Sequence, residues 1–198
     1  MNFRELLLLV LVGWTAVGAA GVTISLLRRE RATAVRHSLW IVIVWAVYMA
    51  LLLGTSLLQP RKVVALGQDQ CFDEMCFAVT GVQELPGYLV QDGSRLVRVS
   101  VRISNHSKEK MRSEGLIQAY LIDRQGRRWA ESTAVSGVRL TTRVAPGDSV
   151  ISQPVFKVAG DAAGLGLIFT HGRRQPGVLV LGDSDSLLHR RTVVWLGR

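Results

Sequence analysis

Arg95-Leu96-Val97-Arg98-Val99-Ser100-Val101-Arg102-Ile103-Ser104-Asn105 decides the fold of the larger part of this chain. Successive side chains of an extended strand point to opposite faces, so Val97, Val99, Val101 and Ile103 share one side and Arg98, Ser100 and Arg102 the other. One face meets a core and the other meets solvent, as in an antiparallel sheet. Just upstream, Tyr88-Leu89-Val90-Gln91 and the turn Asp92-Gly93 predict a hairpin partner. Downstream, residues 116–122 and 127–132 flank Asp123-Arg124-Gln125-Gly126. Glycine at the fourth position suits a type I turn with a bulge, because it accepts positive φ cheaply.

Further strands are predicted at residues 75–82, 138–144, 149–158, 165–170, 178–181 and 192–196, separated by Gly, Pro and Asp turns. Roughly eight or nine strands follow residue 58, and no long helical period does. Residues 60–198 therefore read as one all-β domain, an antiparallel β-sandwich with a small barrel as the alternative.

Outward of this domain the pattern changes. Residues 6–27 hold 16 hydrophobic side chains in 22 positions, residues 39–58 hold 17 in 20, and neither stretch contains Asp, Glu, Lys, Arg or His. Helices of this length reach about 30 Å, enough to cross a hydrocarbon core with their backbone groups paired internally. The expectation is a transmembrane hairpin over residues 1–59, and a purely soluble protein is excluded. A cleaved signal peptide is the rival for the first stretch, with Gly18-Ala19-Ala20 as its site, but the apolar run continues unbroken to Leu27. The connecting residues 28–38 carry Arg28, Arg29, Arg31 and Arg36, against Arg4, Arg61 and Lys62 on the outer flanks. By the positive-inside rule this basic loop faces the cytoplasm, which places both termini and residues 60–198 outside the cytoplasmic membrane.

Ala46, Ala50 and Gly54 recur every four residues, and Gly13, Ala16 and Ala20 offer a comparable surface, so these stripes are the expected helix-packing faces. Homo-oligomerisation or docking of a larger membrane partner through one stripe is the alternative. Trp40 and Tyr48 fit either an interfacial position or the packing. With no ionisable residue in either span, no proton relay, ion site or voltage sensor is expected.

The order and spacing of three stretches carry a resemblance. These are Val101-Arg102-Ile103-Ser104-Asn105-His106-Ser107-Lys108-Glu109, then Leu121-Ile122-Asp123-Arg124-Gln125-Gly126-Arg127-Arg128-Trp129, then Val144-Ala145-Pro146-Gly147-Asp148-Ser149 before Val155-Phe156-Lys157-Val158. Residues 95–170 resemble a bacterial domain-of-unknown-function family of exported immunoglobulin-like domains that includes immunoprotective extracellular lipoproteins. The resemblance implies an extracytoplasmic immunoglobulin-like sandwich used for binding, with no catalytic residues to carry over. That family hangs from a lipoprotein signal or a single helix, so a two-helix anchor is a departure.

Cys71 and Cys76 are the only cysteines, and outside the cytoplasm a local disulfide is their expected state. So short a loop contributes about 2 kcal/mol in the chain-entropy view, pinning a strand entry more than holding the domain together. Asp69, Asp73 and Glu74 crowd this loop and have the chemistry for a hard cation, although a solvated turn is the plainer reading. Asp183-Ser184-Asp185-Ser186 with His189 contains the residue types of a hydrolase triad or calcium loop but neither spacing. His106 and His171 lack a second ligand at metal spacing. Asn105-His106-Ser107 has the form of a glycosylation sequon. Trp129 and Trp195 read as core aromatics.

The net charge of +9 invites a nucleic-acid reading, but residues 63–198 carry only +4 of it. The rest lies at the edges of the spans. Lys108, Lys110 and Arg112, the arginines 124, 127 and 128, and the pairs Arg173-Arg174 and Arg190-Arg191 are the candidates for a surface facing anionic lipid or an acidic polymer. The function expected is display of a non-enzymatic binding domain that needs no cofactor or metal. Its partners are the lipid bilayer and an envelope polymer or membrane protein, not nucleic acid. The alternative is an accessory subunit of a transport, secretion or sensor complex.

Overall fold

The computed structural model describes residues 3–85, 93–132, 137–172, 176–182 and 186–197. It divides into a helical unit, Met1–Pro60 with Arg173–Arg190, and a β unit, Arg61–Gly172 with Arg191–Arg198. The sequence boundary near residue 60 is therefore not the whole division, because a second stretch between the last two strands belongs with the helices.

In the helical unit, α1 spans Phe3–Leu27 and α2 spans Arg31–Leu58. Both are long and apolar enough to cross a membrane. Their hydroxyls are turned onto the backbone: Thr15 donates to the Leu11 carbonyl, Thr23 to Ala19 and Thr55 to Leu51. That arrangement hides a polar atom without breaking a helix. The first helix ends in a tight reversal. Glu30 N–H reaches back to the Ser25 carbonyl and Arg29 N–H to Leu26, with Arg29 at φ +63°, the left-handed position usually given to glycine. The connection is thus only residues 28–30. Residues 31–38, expected as part of a basic loop, are the first two turns of α2, although Arg28, Arg29, Arg31 and Arg36 are all exposed.

The helix seam runs through large side chains. Leu11, Tyr48 and Leu52 are buried together with Leu8, Val44 and Trp45 against them, and Trp45 Nε1 donates to Thr15 Oγ1 at 3.0 Å. Close approach occurs at Gly18, where a Cβ would stand 3.0 Å from Ile41 Cδ1. The small-residue stripes lie off this seam. Gly13, Ala16, Ala20, Ala46 and Ala50 are exposed and Gly54 is half-buried, with open space where a Cβ would sit on Gly13 or Gly54. Tyr48 belongs to the packing, whereas Trp40 is exposed.

Residues 178–181, expected as a strand, instead contain the end of a 3-10 turn, Pro176–Leu179. A continuous Val-Leu-Val-Leu run has no period that separates strand from other buried structure. Its surroundings decide: Leu181 packs on the Leu11, Tyr48 and Leu52 cluster.

Among the described residues the β unit holds ten strands in two sheets. The first sheet has the order β1 (Val63–Val64), β10 (Val193–Trp195), β9 (Gly166–Thr170), β5 (Gln118–Ile122), β6 (Arg128–Ala130). The second runs β2 (Asp69–Phe72), β3 (Met75–Glu84), β4 (Ser94–Asn105), and then β7 (Ser149–Ser152) and β8 (Val155–Ala159) along the far edge of β4. The predicted strand 149–158 is one edge interrupted at Gln153-Pro154, because Pro154 has no N–H to donate. Its carbonyl accepts from Val99 N–H at 3.0 Å and bridges the gap. The predicted strand 138–144 is not formed: Thr142 N–H turns back to Arg139, and only Val144 bridges, to Arg112. The hairpin partner expected at residues 88–91 lies outside the described residues.

The alternation that opened the sequence is realised on β4. Val97, Val99, Val101 and Ile103 are buried, and Arg98, Ser100 and Arg102 half-buried on the other face. Opposite them stand Leu121, Leu167, Phe169 and Val194 of the first sheet. The two layers form a β-sandwich. Trp129 packs half-buried on this core, while Trp195 and Tyr120 cover a second cluster of Ile122, Ile168 and Val193 on the other side of the first sheet.

The β5–β6 turn is held by charge. Arg127 Nε donates to the buried Asp123 Oδ2 at 2.6 Å, its backbone N–H to Oδ1 at 2.9 Å, and Nη1 to both oxygens of Asp161 at 3.0 Å. Burial pushes the Asp123 carboxyl up, but the Arg127 hydrogen bonds and charge outweigh it and hold the carboxyl below its ordinary value. A carboxyl whose folded value is depressed adds stability above its unfolded value of about 4 and loses it as pH falls through the folded value. Asp123→Asn is therefore expected to destabilise the β unit at neutral pH by an amount that shrinks below about pH 4. Urea midpoints of both proteins measured from pH 7 to pH 2 check this, and a gap independent of pH would contradict it.

Candidate functional site

Loops at one end of the second sheet build a polar cleft. The β2–β3 hairpin places Cys71 directly opposite Cys76, and the two form a disulfide across the turn Asp73-Glu74, with Asp73 at φ +52°. The bond closes a hairpin rather than a strand entry, since Cys71 lies within β2 and Cys76 within β3. From this turn the Glu74 carbonyl accepts the His106 N–H at 2.8 Å, and Glu74 Oε2 accepts from Arg112 Nε at 2.8 Å. His106 Nδ1 stands 3.8 Å from Cys76 Sγ.

Asn105, at the end of β4, organises the loop that follows. Its buried side chain donates to the carbonyls of Lys110 and Val144, both at 2.9 Å, and its Oδ1 accepts the Ser107 N–H at 2.9 Å. Its backbone also bonds Gly147 and Asp148. All three side-chain bonds are internal, so in the folded domain the sequon-like Asn105 amide is not presented to a glycosyltransferase. The loop so fixed, with Glu74 and Arg112, encloses a cleft of about 430 Å³ rimmed by Lys108 and Lys110. Glu109 also lines it and Arg112 is engaged by Glu74, so the cleft is an open polar surface of mixed charge in which Lys108 and Lys110 supply exposed ammonium groups.

A second cleft of about 300 Å³ is floored by Val97, Leu165 and Leu196. At its rim Arg95 pairs with Glu84 and donates through Nη2 to the Ala162 carbonyl at 2.5 Å, so its charge is already engaged.

No protein-family model and no curated protein matches the chain. Solved structures similar to it include a β-sandwich protein of Clostridium difficile 630, at 13% identity and TM-score 0.45 over 70% of this chain and 96% of that one. The secreted protein MPT63 of Mycobacterium tuberculosis matches at 10% identity and TM-score 0.46 over 69% and 98%. The yjhA protein of Bacillus subtilis matches at 14% and 0.43 over 67% and 98%.

The other sequence candidates are dispersed. Asp69 pairs with Arg102 and Glu74 with Arg112, and no group of three or more metal-ligating side chains occurs among the described residues. His171 Nε2 lies 3.3 Å from Glu114 Oε1, with its ring edge-on to Phe72. Asp183, Ser184 and Asp185 lie outside the described residues. Ser186, which would complete that set, instead meets Ser56 Oγ at 2.9 Å, both hydroxyls buried. Of the basic candidates, Lys108, Lys110 and Arg112 share the first cleft, whereas Arg127 serves Asp123 and Asp161, and Arg128 and Arg191 lie over the Tyr120 ring. Arg173 and Arg174 lie outside the described residues. Sequence reasoning missed the structural role of Asn105, whose only signal was its position where a long alternating strand stops.

Proposed function

We propose that this chain is a two-span protein of the cytoplasmic membrane that displays an immunoglobulin-like β-sandwich on the extracytoplasmic side, where the lysine-rimmed cleft binds an anionic envelope polymer or an acidic protein surface. One observation carries the membrane part. The helices expose apolar side chains along their whole length, among them Val10, Val17, Val42 and Leu57 at 63–73%. Water does not sustain so long an apolar surface on a soluble protein, and lipid does. The exposed arginines between the helices support the assigned sidedness. The Cys71–Cys76 bond fits an oxidising compartment. No enzymatic activity belongs to this reading.

A periplasm-dependent reporter fused to the C-terminus, with alkylation of Cys71 and Cys76 in the same cells, tests it. The expected result is an active reporter and thiols that react only after reduction. A silent reporter with freely reactive thiols would reverse the topology and remove the envelope role. The alternative, an accessory subunit of a larger membrane complex, is favoured by the exposure of Ala46 and Ala50 off the hairpin seam. A larger native species in mild detergent, lost when those residues become leucine, would select it.

A further inference from the structure

The Cys71–Cys76 bond has two unlike ends. Cys71 is exposed and belongs to β2, the edge strand of the second sheet, while Cys76 is 1% exposed and belongs to β3, one strand further in. The two residues stand directly opposite each other, so the bond runs across the strands. On the inner side Cys76 is paired with Ser104 of β4, and the loop after β4 brings His106 Nδ1 to 3.8 Å from Cys76 Sγ. On the outer side no strand of that sheet lies beyond β2 among the described residues.

A thiolate breaks a disulfide by displacement. It approaches one sulfur in line with the S–S bond, from the side away from the other sulfur, and the far sulfur leaves as a thiolate. In-line approach to Cys76 comes from the interior of the sheet, past Ser104 and His106. In-line approach to Cys71 comes from the open edge. The geometry therefore fixes a direction, with Cys71 as the sulfur attacked and Cys76 as the leaving group.

The leaving sulfur needs a partner, because a thiolate formed at so buried a position is unfavourable unless a donor meets it. A disulfide sulfur carries no hydrogen, so in the contact between His106 and Cys76 the ring nitrogen is the only group able to donate. As the bond lengthens, charge gathers on Cys76 Sγ, and a hydrogen bond to a charged acceptor is stronger than one to a neutral acceptor. His106 is positioned through its backbone. Its N–H donates to the Glu74 carbonyl in the β2–β3 turn at 2.8 Å, and the side chain of the preceding Asn105 makes three internal bonds. The other charged groups of this loop and turn are of both signs, Lys108, Lys110 and Arg112 against Glu74 and Glu109, so the specific donor matters more than the surrounding field.

Little of the fold depends on the bond. β2 pairs with β3 from Asp69 opposite Ala78 to Phe72 opposite Met75, and so short a loop adds little chain-entropy stabilisation. The ladder holds the two thiols opposite each other after reduction, so the same steps run in reverse against a disulfide.

We propose that Cys71–Cys76 is a thiol–disulfide exchange site rather than a fixed crosslink, with Cys71 Sγ as the electrophile, Cys76 as the leaving group and His106 as the donor that receives it. The partner is a dithiol. One of its thiolates bonds to Cys71 Sγ as the Cys71–Cys76 bond breaks, and the electron pair of that bond stays on Cys76. The partner's second thiolate then displaces Cys71 from the mixed disulfide. The partner's two sulfurs are oxidised to a disulfide, the two cysteines are reduced to thiols, and the protons released by the partner's thiols pass through solvent to Cys71 and Cys76. None of these steps depends on the membrane reading, which decides only the compartment of the dithiol.

The test uses the oxidised full chain in mild detergent without denaturant, with glutathione as the attacking thiol and excess iodoacetamide to cap the sulfur that is released. Peptide mass spectrometry locates both groups. The expected product carries glutathione on Cys71 and the acetamide on Cys76, and His106→Ala forms it about tenfold more slowly with the same placement. The direction of the rate change separates a donor from a merely structural role, because a hairpin loosened by the substitution would react faster. A His106→Ala rate equal to or above that of the parent chain would overturn the mechanism by removing His106 from it. Glutathione on Cys76, an even mixture, or a bond that opens only once urea is added would overturn the exchange site and leave a structural crosslink.

Discussion

Asn105→Ala is expected to lower the stability of the sandwich by about 2 to 4 kcal/mol, seen as a lower urea midpoint with little change in slope. The methyl group leaves the carbonyl of Lys110 and the buried N–H of Ser107 without their partner, while the buried Val144 carbonyl loses one bond and keeps the one from Arg112 N–H. Orphaned polar groups cost about 1 to 3 kcal/mol each when water cannot replace the lost bond, and Lys110, being exposed, is partly compensated. Asn105→Asp separates geometry from charge. It keeps the acceptor for Ser107 but sets a carboxylate against two carbonyl oxygens in a buried place. Burial and those oxygens raise its folded pKa above the unfolded value, so the stability this variant retains is present at acid pH and is lost as pH rises through the folded value. A midpoint unchanged by either substitution would show that the loop over the lysine-rimmed cleft is held by other means.

Phe77→Ala is expected to cost about 3 to 5 kcal/mol, the range for truncating a buried aromatic side chain. Phe77 is fully buried on β3, its ring 5.5 Å from Phe169 of the opposite sheet and edge-on to Phe72 at 5.9 Å. Its removal opens a cavity between the layers, where neighbouring strands are hydrogen-bonded and cannot collapse inward. Phe77→Leu should cost far less, because most of the volume remains. Thermal and urea unfolding followed by near-ultraviolet circular dichroism measure both. Equal losses for alanine and leucine would mean that ring geometry, rather than filled volume, joins the sheets.

Much of this architecture was legible because it is periodic. The valines of β4 announce their face by a period of two, and the uncharged runs announce helices by length. The β5–β6 turn is legible from Gly126, whose φ of +83° is the conformation its residue type permits most readily. Reading failed where one local pattern fits several environments. Residues 138–144 have strand-like composition, but a turn at Arg139 to Thr142 takes the backbone away from any ladder. The small-residue stripes have the spacing of a helix interface, yet Trp45 and Tyr48 claim the seam through a hydrogen bond to Thr15 and contact with Leu11. Within the candidate site, the lysines and the disulfide could be named from sequence. The side chain that shapes the cleft could not, since Asn105 bonds Val144 across 39 positions.

The sequence by itself determined which faces are apolar, where two uncharged apolar helices lie and which cysteines can pair. These are local quantities, set by the repeat of a strand, the rise of a helix and the reach of a short loop. Only the tertiary structure decided what covers each face. It placed Ser186 against Ser56 and Leu179 against Tyr48, pairs 130 and 131 positions apart, and so gave the helices a stretch that the pattern had assigned to the sandwich. The physical reason is that periodicity records the direction of a side chain. The partner it meets depends on which surfaces the whole chain leaves free.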